Sequence, residues 1–245
     1  MKQQRNPWAW VPSLYFAEGI PYVAVMTISL IMYKRLGMSN TDITLYTSWL
    51  YLPWVIKPFW SPFVDIMMTK RWWIVAMQLL VGAALGGVAF TVPGPFWLQG
   101  TLFFFWLMAF SSATHDIAAD GFYMLGLDQH NQAWFVGIRS TFYRIATIFG
   151  QGLLVMLAGN LEVLTRNVRY SWSLMFYFMA GLFIVLWLYH NWALPRPVED
   201  MKKQRMTMKV LFSELIRTVA TFFRKPQMVA GICFMLFYRM PEGLL

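Results

Sequence analysis

Residues 8–33 read WAWVPSLYFAEGIPYVAVMTISLIMY, an apolar run interrupted by Glu18, Gly19 and Pro21. A membrane-spanning helix needs about 20 predominantly apolar residues, and this run exceeds that. A short basic lead, Lys2 and Arg5, precedes it, as in a signal peptide. The run is too long for a signal core, holds a glutamate and a proline, and lacks a small-x-small cleavage site, so it reads as a retained first span. The whole chain agrees: of 245 residues 58% are hydrophobic, 18% aromatic and 13% charged, with a mean hydropathy of +0.49. A soluble domain carries about 25% charged residues, so these residues cannot make the surface of a water-soluble globule. A secreted enzyme, a nucleic-acid-binding domain and a disordered tail are excluded. The net charge of +9 reads as loop lysines and arginines. A lone cysteine, Cys233, allows neither an intrachain disulfide nor a thiolate metal cluster.

Further apolar runs follow. The second, 43–64, carries Pro53, Pro58 and Pro62, whose freed carbonyls must be satisfied within the bundle, so kinks are expected. The third, 72–92, has Gly82 and Gly86 at a close-packing spacing. Runs at 96–125, 134–158 and 172–194 complete six spans. Residues 195–225 then hold eight lysines and arginines, and within them Leu211, Leu215, Val219 and Phe222 form a stripe expected to lie as a basic amphipathic helix on the membrane. A seventh run begins near Met228. The expected organisation is a six-helix bundle over 1–194, a cytoplasmic linker over 195–225 and the start of a seventh helix over 226–245, with the second half missing. Counting loop cations with the N-terminus inside places twelve in the cytoplasm and four opposite, which orients the chain N-terminus in.

Ionisable residues within spans are costly and are functional candidates by default. Here they are Glu18, Lys57, His115, Asp116, Asp120, Arg139, Arg144, Arg239 and Glu242. Counting from the turns puts Glu18 level with Lys57, Asp120 level with Arg139, and Asp116 close to level with Arg144. Asp116 and Asp120 share one helix face. Such pairs either fix helix packing or are broken and remade as a transporter moves. The second reading makes Glu18, Asp116 and Asp120 proton-coupling sites, and Lys57, Arg139, Arg144, His115 and Glu242 substrate or counter-charge sites. Enzymatic alternatives, the H-x4-D spacing of His115 and Asp120 or the aspartates at 116 and 120, lack partner motifs. No glycine-rich phosphate loop occurs, and neither cofactor nor metal is expected.

Span one holds Phe16-Ala17-Glu18-Gly19-Ile20-Pro21 and span seven Arg239-Met240-Pro241-Glu242-Gly243-Leu244. Corresponding Gly/Pro-interrupted helices in two halves point to a transporter's midplane site. Six spans, a basic loop and this recurrence resemble the major facilitator superfamily. Asp65, Lys70 and Arg71 fall at its gating loop between spans two and three. The segments 57–65 (KPFWSPFVD) and 112–120 (SATHDIAAD), with Tyr143-Arg144, resemble the muropeptide permeases (AmpG type), which share a branch with acetyl-CoA transporters. Glu18 and the absence of a basic residue in Gly121-Phe122-Tyr123 depart from them. The resemblance implies proton symport of cell-wall muropeptides into the cell through the bacterial inner membrane, with Asp116, Asp120 and Arg144 along the pathway. Another organic anion, an acetyl-CoA-like solute, or a non-transporting scaffold are the alternatives. The expected partners are a small-molecule substrate, protons and the lipid bilayer. A missing C-terminal half or a second chain is needed to close the cavity.

Overall fold

The computed structural model describes residues 5–197 and 200, and beyond them only residues 213, 217, 221, 228, 234 and 237. It is all helical, with no strand among the described residues. The chain divides into two compact units, 1–203 and 204–245. In the second, Arg217 and Thr221 are exposed helical residues, and the Thr221 hydroxyl donates to the Arg217 carbonyl at 2.6 Å. The expected amphipathic stripe (Leu211, Leu215, Val219, Phe222) and the Arg239 to Leu244 recurrence, with Glu242, lie outside the described residues.

Among the described residues of the first unit, eight helices are numbered in chain order, apart from a 3-10 helix at Ser48–Tyr51. They are α1 (Pro7–Arg35), α2 (Asn40–Thr47), α3 (Leu52–Val55), α4 (Lys57–Met67), α5 (Lys70–Thr91), α6 (Trp97–Gly126), α7 (Gln129–Thr165) and α8 (Val168–Ala193). Five of them, α1, α5, α6, α7 and α8, are long and apolar enough to cross a membrane. Local chemistry sets their ends. Gly37, with φ of 90°, closes α1: its N–H bonds the Lys34 carbonyl and the Met38 N–H bonds the Tyr33 carbonyl, a Schellman cap that needs a residue tolerating the left-handed region. Ser39, Asp128 and Asn167 accept backbone N–H bonds at the starts of α2, α7 and α8.

The second apolar run corrects an expectation. Instead of one kinked span over 43–64, it forms pieces of 8, 4 and 11 residues, joined by a 3-10 turn at Ser48–Tyr51 and a break at Ile56. Pro53 and Pro58 sit in the first turns of α3 and α4, where a missing N–H costs nothing, and Pro62 lies inside α4. The break puts Lys57 at the head of a new helix. The fifth run is one long helix with a π segment at Phe149–Leu154.

The core is divided. One apolar cluster gathers Ile20 to Tyr33 of α1 with Val81 to Val92, Phe105 to Ala109, Ala146 to Ala158 and Trp172 to Phe183. The other gathers Trp10 to Tyr15 with Ile74, Ala118 to Tyr123, Phe135 and Leu194. Where each long helix passes from one cluster to the other it carries polar residues: Glu18 on α1, Gln78 on α5, Ser112, His115 and Asp116 on α6, Arg139 and Arg144 on α7, and His190 on α8. Gly82 and Gly86 face Ala180 and Phe183, so α5 and α8 close on each other through small residues.

Candidate functional site

The polar layer is held by close approach of α1 and α7. A Cβ at Gly19 would stand 2.8 Å from the Ala146 Cβ and 3.0 Å from the Tyr143 carbonyl oxygen, so the glycine beside Glu18 lets α7 lie against α1. Glu18 is 9% exposed, and its Oε2 has no hydrogen-bond partner. Across from it on α6, one carboxylate oxygen of Asp116 and a ring nitrogen of His115 come within 4.8 Å of a Glu18 oxygen and of each other. The Lys57 ammonium donates to Asp116 Oδ2 at 2.5 Å, leaving Asp116 Oδ1 buried and unpartnered.

A second pair lies one turn further along α6. The Arg139 guanidinium donates to Asp120 at 3.0 Å and to the Tyr15 hydroxyl at 3.1 Å, and the same hydroxyl donates to Asp120 at 3.1 Å. Arg139 also lies 5.1 Å from the ring centroids of Tyr15 and Tyr123. A cavity of about 250 Å³ opens beside these groups, lined by Tyr15, Glu18, Arg139, Ser140, Tyr143 and Arg144. Arg144 is exposed there and makes no ion pair among the described residues. Counting depth along the helices thus matches Asp120 with Arg139, whereas Asp116 pairs with Lys57 and not with Arg144, because the break at Ile56 swings Lys57 toward α6.

Charge alone misses part of the layer. The Gln78 amide nitrogen donates to His115 Nε2 at 3.1 Å, and its Oε1 lies 3.0 Å from His190 Nδ1. His190 Nε2 is 2.9 Å from the Ser13 hydroxyl. Gln78, His115 and His190 are 1%, 3% and 0% exposed, so this chain joins α1, α5, α6 and α8 inside the core. A lone glutamine in the 72–92 run is the sequence signal for it.

At the end of the bundle that carries the N-terminus, Asp65, Lys70 and Arg71 are not in a loop but at helix ends, since only Met68 and Thr69 separate α4 from α5. Lys70, buried across Gly121, donates to Asp65. Asp200 accepts the backbone N–H groups of Lys70 at 2.6 Å and Arg71 at 3.0 Å, and the Arg71 side chain reaches the Asn191 carbonyl. Burial pushes the Asp200 carboxyl above its ordinary pKa, against the pull of those two N–H groups. The opposite end is tied by Arg35, which holds Glu162 through three hydrogen bonds while Trp172 donates to the same carboxylate at 2.7 Å.

Helices of membrane length with charge pairs between them, Lys57–Asp116 largely withdrawn from solvent and Arg139–Asp120 partly exposed, mark an integral membrane protein. Residues 13–244 match the model of the Major Facilitator Superfamily, and the chain belongs to that family. It is similar to an uncharacterized protein of Schizosaccharomyces pombe, 24% identical over 82% of this chain and 43% of that protein. It is also similar to the anhydromuropeptide permease of Escherichia coli K12, 27% identical over 70% of this chain and 34% of the permease. The same values hold for that permease in E. coli O157:H7. The chain thus spans less than half the length of these relatives.

Proposed function

We propose that the chain forms one half of a proton-coupled secondary transporter that imports anhydromuropeptides or a related anionic organic solute by alternating access. The observation that carries this reading is the buried layer in which Glu18 and Asp116 each keep an oxygen without a partner beside a cavity that Arg139 and Arg144 line. An unpaired carboxylate in an apolar core is costly, and a bound proton removes that cost. Arg144 supplies a free guanidinium for an anionic group of the solute. Lys57 and Arg139 hold the aspartates while the proton site is empty. The similarity to an anhydromuropeptide permease favours cell-wall fragments as the solute and the bacterial inner membrane as the setting, and the excess of loop lysines and arginines on the N-terminal side favours a cytoplasmic N-terminus. A second helical bundle, from further residues or another chain, closes the cavity.

Uptake of labelled anhydromuropeptide into vesicles, with and without an imposed pH gradient, tests the reading. Gradient-dependent accumulation is expected, and it should be lost in Asp116→Asn and Asp120→Asn while membrane insertion stays normal. Full uptake in both variants rejects the role given to the aspartates, and accumulation of an acetyl-CoA-like solute instead reassigns the substrate.

A further inference from the structure

A second cavity, of about 390 Å³, lies at the end of the bundle away from the N-terminus, where α1 ends and α7 gives way to α8. Its charged lining residues are Arg35, Glu162 and Arg166. The Glu162 carboxylate is already occupied, because Arg35 holds it through Nε and Nη2 and Trp172 donates to Oε1. Arg35 keeps Nη1 for another acceptor. Arg166 is exposed and makes no ion pair among the described residues. Its backbone stands in the left-handed region at φ 52°, and among the described residues no other non-glycine has a positive φ. A side chain is disfavoured there, and such backbone outliers gather at binding sites.

Toward the bilayer centre the lining turns apolar, with Ile31 one turn before Arg35 on α1 and Val155, Gly159 and Val163 on α7. A Cβ at Gly159 would meet nothing within 4 Å, and Val163 is 77% exposed, so protein does not fill this trough. Residues 155 to 166 span roughly 16 Å of helix, close to the ~15 Å half-thickness of a bilayer's hydrocarbon core. Cations at the helix end with apolar residues below them match the profile of a phospholipid. Charge selects the kind. Arg35 and Glu162 cancel, which leaves the cavity with the +1 of Arg166, and near it Lys34 and Arg169 outnumber the one further carboxylate, Asp42. A phosphodiester carries −1 and takes charge-assisted bonds from guanidinium groups. The ammonium of a zwitterionic headgroup would find no vacant carboxylate in the cavity, whereas an anionic headgroup needs none.

We propose that the trough between the end of α1 and the end of α7 binds one anionic phospholipid, its phosphate on Arg166 and Arg35 and an acyl chain along Val163, Gly159 and Val155. The site lies in the leaflet away from the N-terminus and shares no residue with the cavity beside Glu18, so it stands whatever solute or coupling ion the protein uses. The test is native mass spectrometry of the purified full chain in detergent, titrated with phosphatidylglycerol, phosphatidylethanolamine and phosphatidylcholine of the same chain length. One phosphatidylglycerol per chain is expected, bound at least fivefold more tightly than either zwitterionic lipid and not displaced by inorganic phosphate. Arg166→Asn, which suits the left-handed backbone, and Gly159→Leu, which fills the trough without changing charge, should each remove that preference. Lys34→Gln, a cation at the same end but outside the cavity, should leave it intact. A measurement on the unaltered chain guards against misfolded variants: a phosphatidylglycerol carrying a photoreactive acyl chain should crosslink to residues 155–166 or to Ile31. Equal binding of the three lipids, displacement by inorganic phosphate, the same loss in Lys34→Gln as in Arg166→Asn, or crosslinks confined to other helices overturns the proposal.

Discussion

Lys57 and Asp116 illustrate how a membrane core tolerates charge. Their side chains are 28% and 14% exposed, so each is largely withdrawn from solvent and the pair is not a surface ion pair of negligible worth. Removing one partner strands the other. Lys57→Ala should therefore destabilise the chain by about 2 kcal/mol, short of the 3–5 kcal/mol of a fully buried pair. The double variant Lys57→Leu with Asp116→Leu should recover most of that loss in thermal unfolding, yet should not transport. A double variant as unstable as the single one would show that the pair contributes more than mutual neutralisation. The sequence exposes these residues readily, because a lysine or aspartate inside an apolar run stands out. It does not expose which partner each takes, because that depends on the break at Ile56, which three prolines permit without specifying.

At the scale of elements, two contacts decide how the helices sit. Gly19 lets α7 approach α1, and a methyl there would meet the Tyr143 backbone as well as Ala146. Backbone cannot turn aside as a flexible side chain can, so Gly19→Ala should cost about 1–3 kcal/mol, measured as a fall in unfolding temperature. It should also widen the spacing beside Glu18. An unchanged unfolding temperature would mean that the two helices part freely. Asp200 makes the second contact, tying the residues after α8 to the start of α5. Its pKa in the fold is raised, so the fold favours the protonated carboxyl. The sign follows: Asp200 supports stability most at low pH and less as pH rises through its folded pKa. Asp200→Asn, which keeps the acceptor and removes the charge, should match or exceed the wild type at neutral pH. That advantage should shrink on acidification, whereas Asp200→Ala should be less stable than Asp200→Asn across the range. A wild type that outlasts Asp200→Asn only at neutral pH would reverse the assignment. This tie is invisible in the sequence, where residues 70 and 200 are 130 positions apart.

Over the whole molecule, the organising feature is a core cut in two by a polar layer. Composition and the lengths of the apolar runs make the helical membrane class legible, since only helices and closed barrels satisfy backbone groups in lipid and apolar runs of about 20 residues have helical length. The layer is legible only in part. Glu18, His115, Asp116, Asp120, Arg139 and Arg144 declare themselves by charge, whereas Gln78, His190 and Ser13 complete it through hydrogen bonds across four helices that no spacing along one helix encodes. The carboxylate oxygens left unpaired in this layer are what the proposed transport role rests on. The most direct test is accumulation of labelled anhydromuropeptide in vesicles driven by a pH gradient, compared between the wild type and Glu18→Gln in whole transporter. The wild type should accumulate the solute only with the gradient, and Glu18→Gln should exchange it across the membrane without accumulating it. Gradient-driven accumulation in Glu18→Gln equal to that of the wild type would contradict the account.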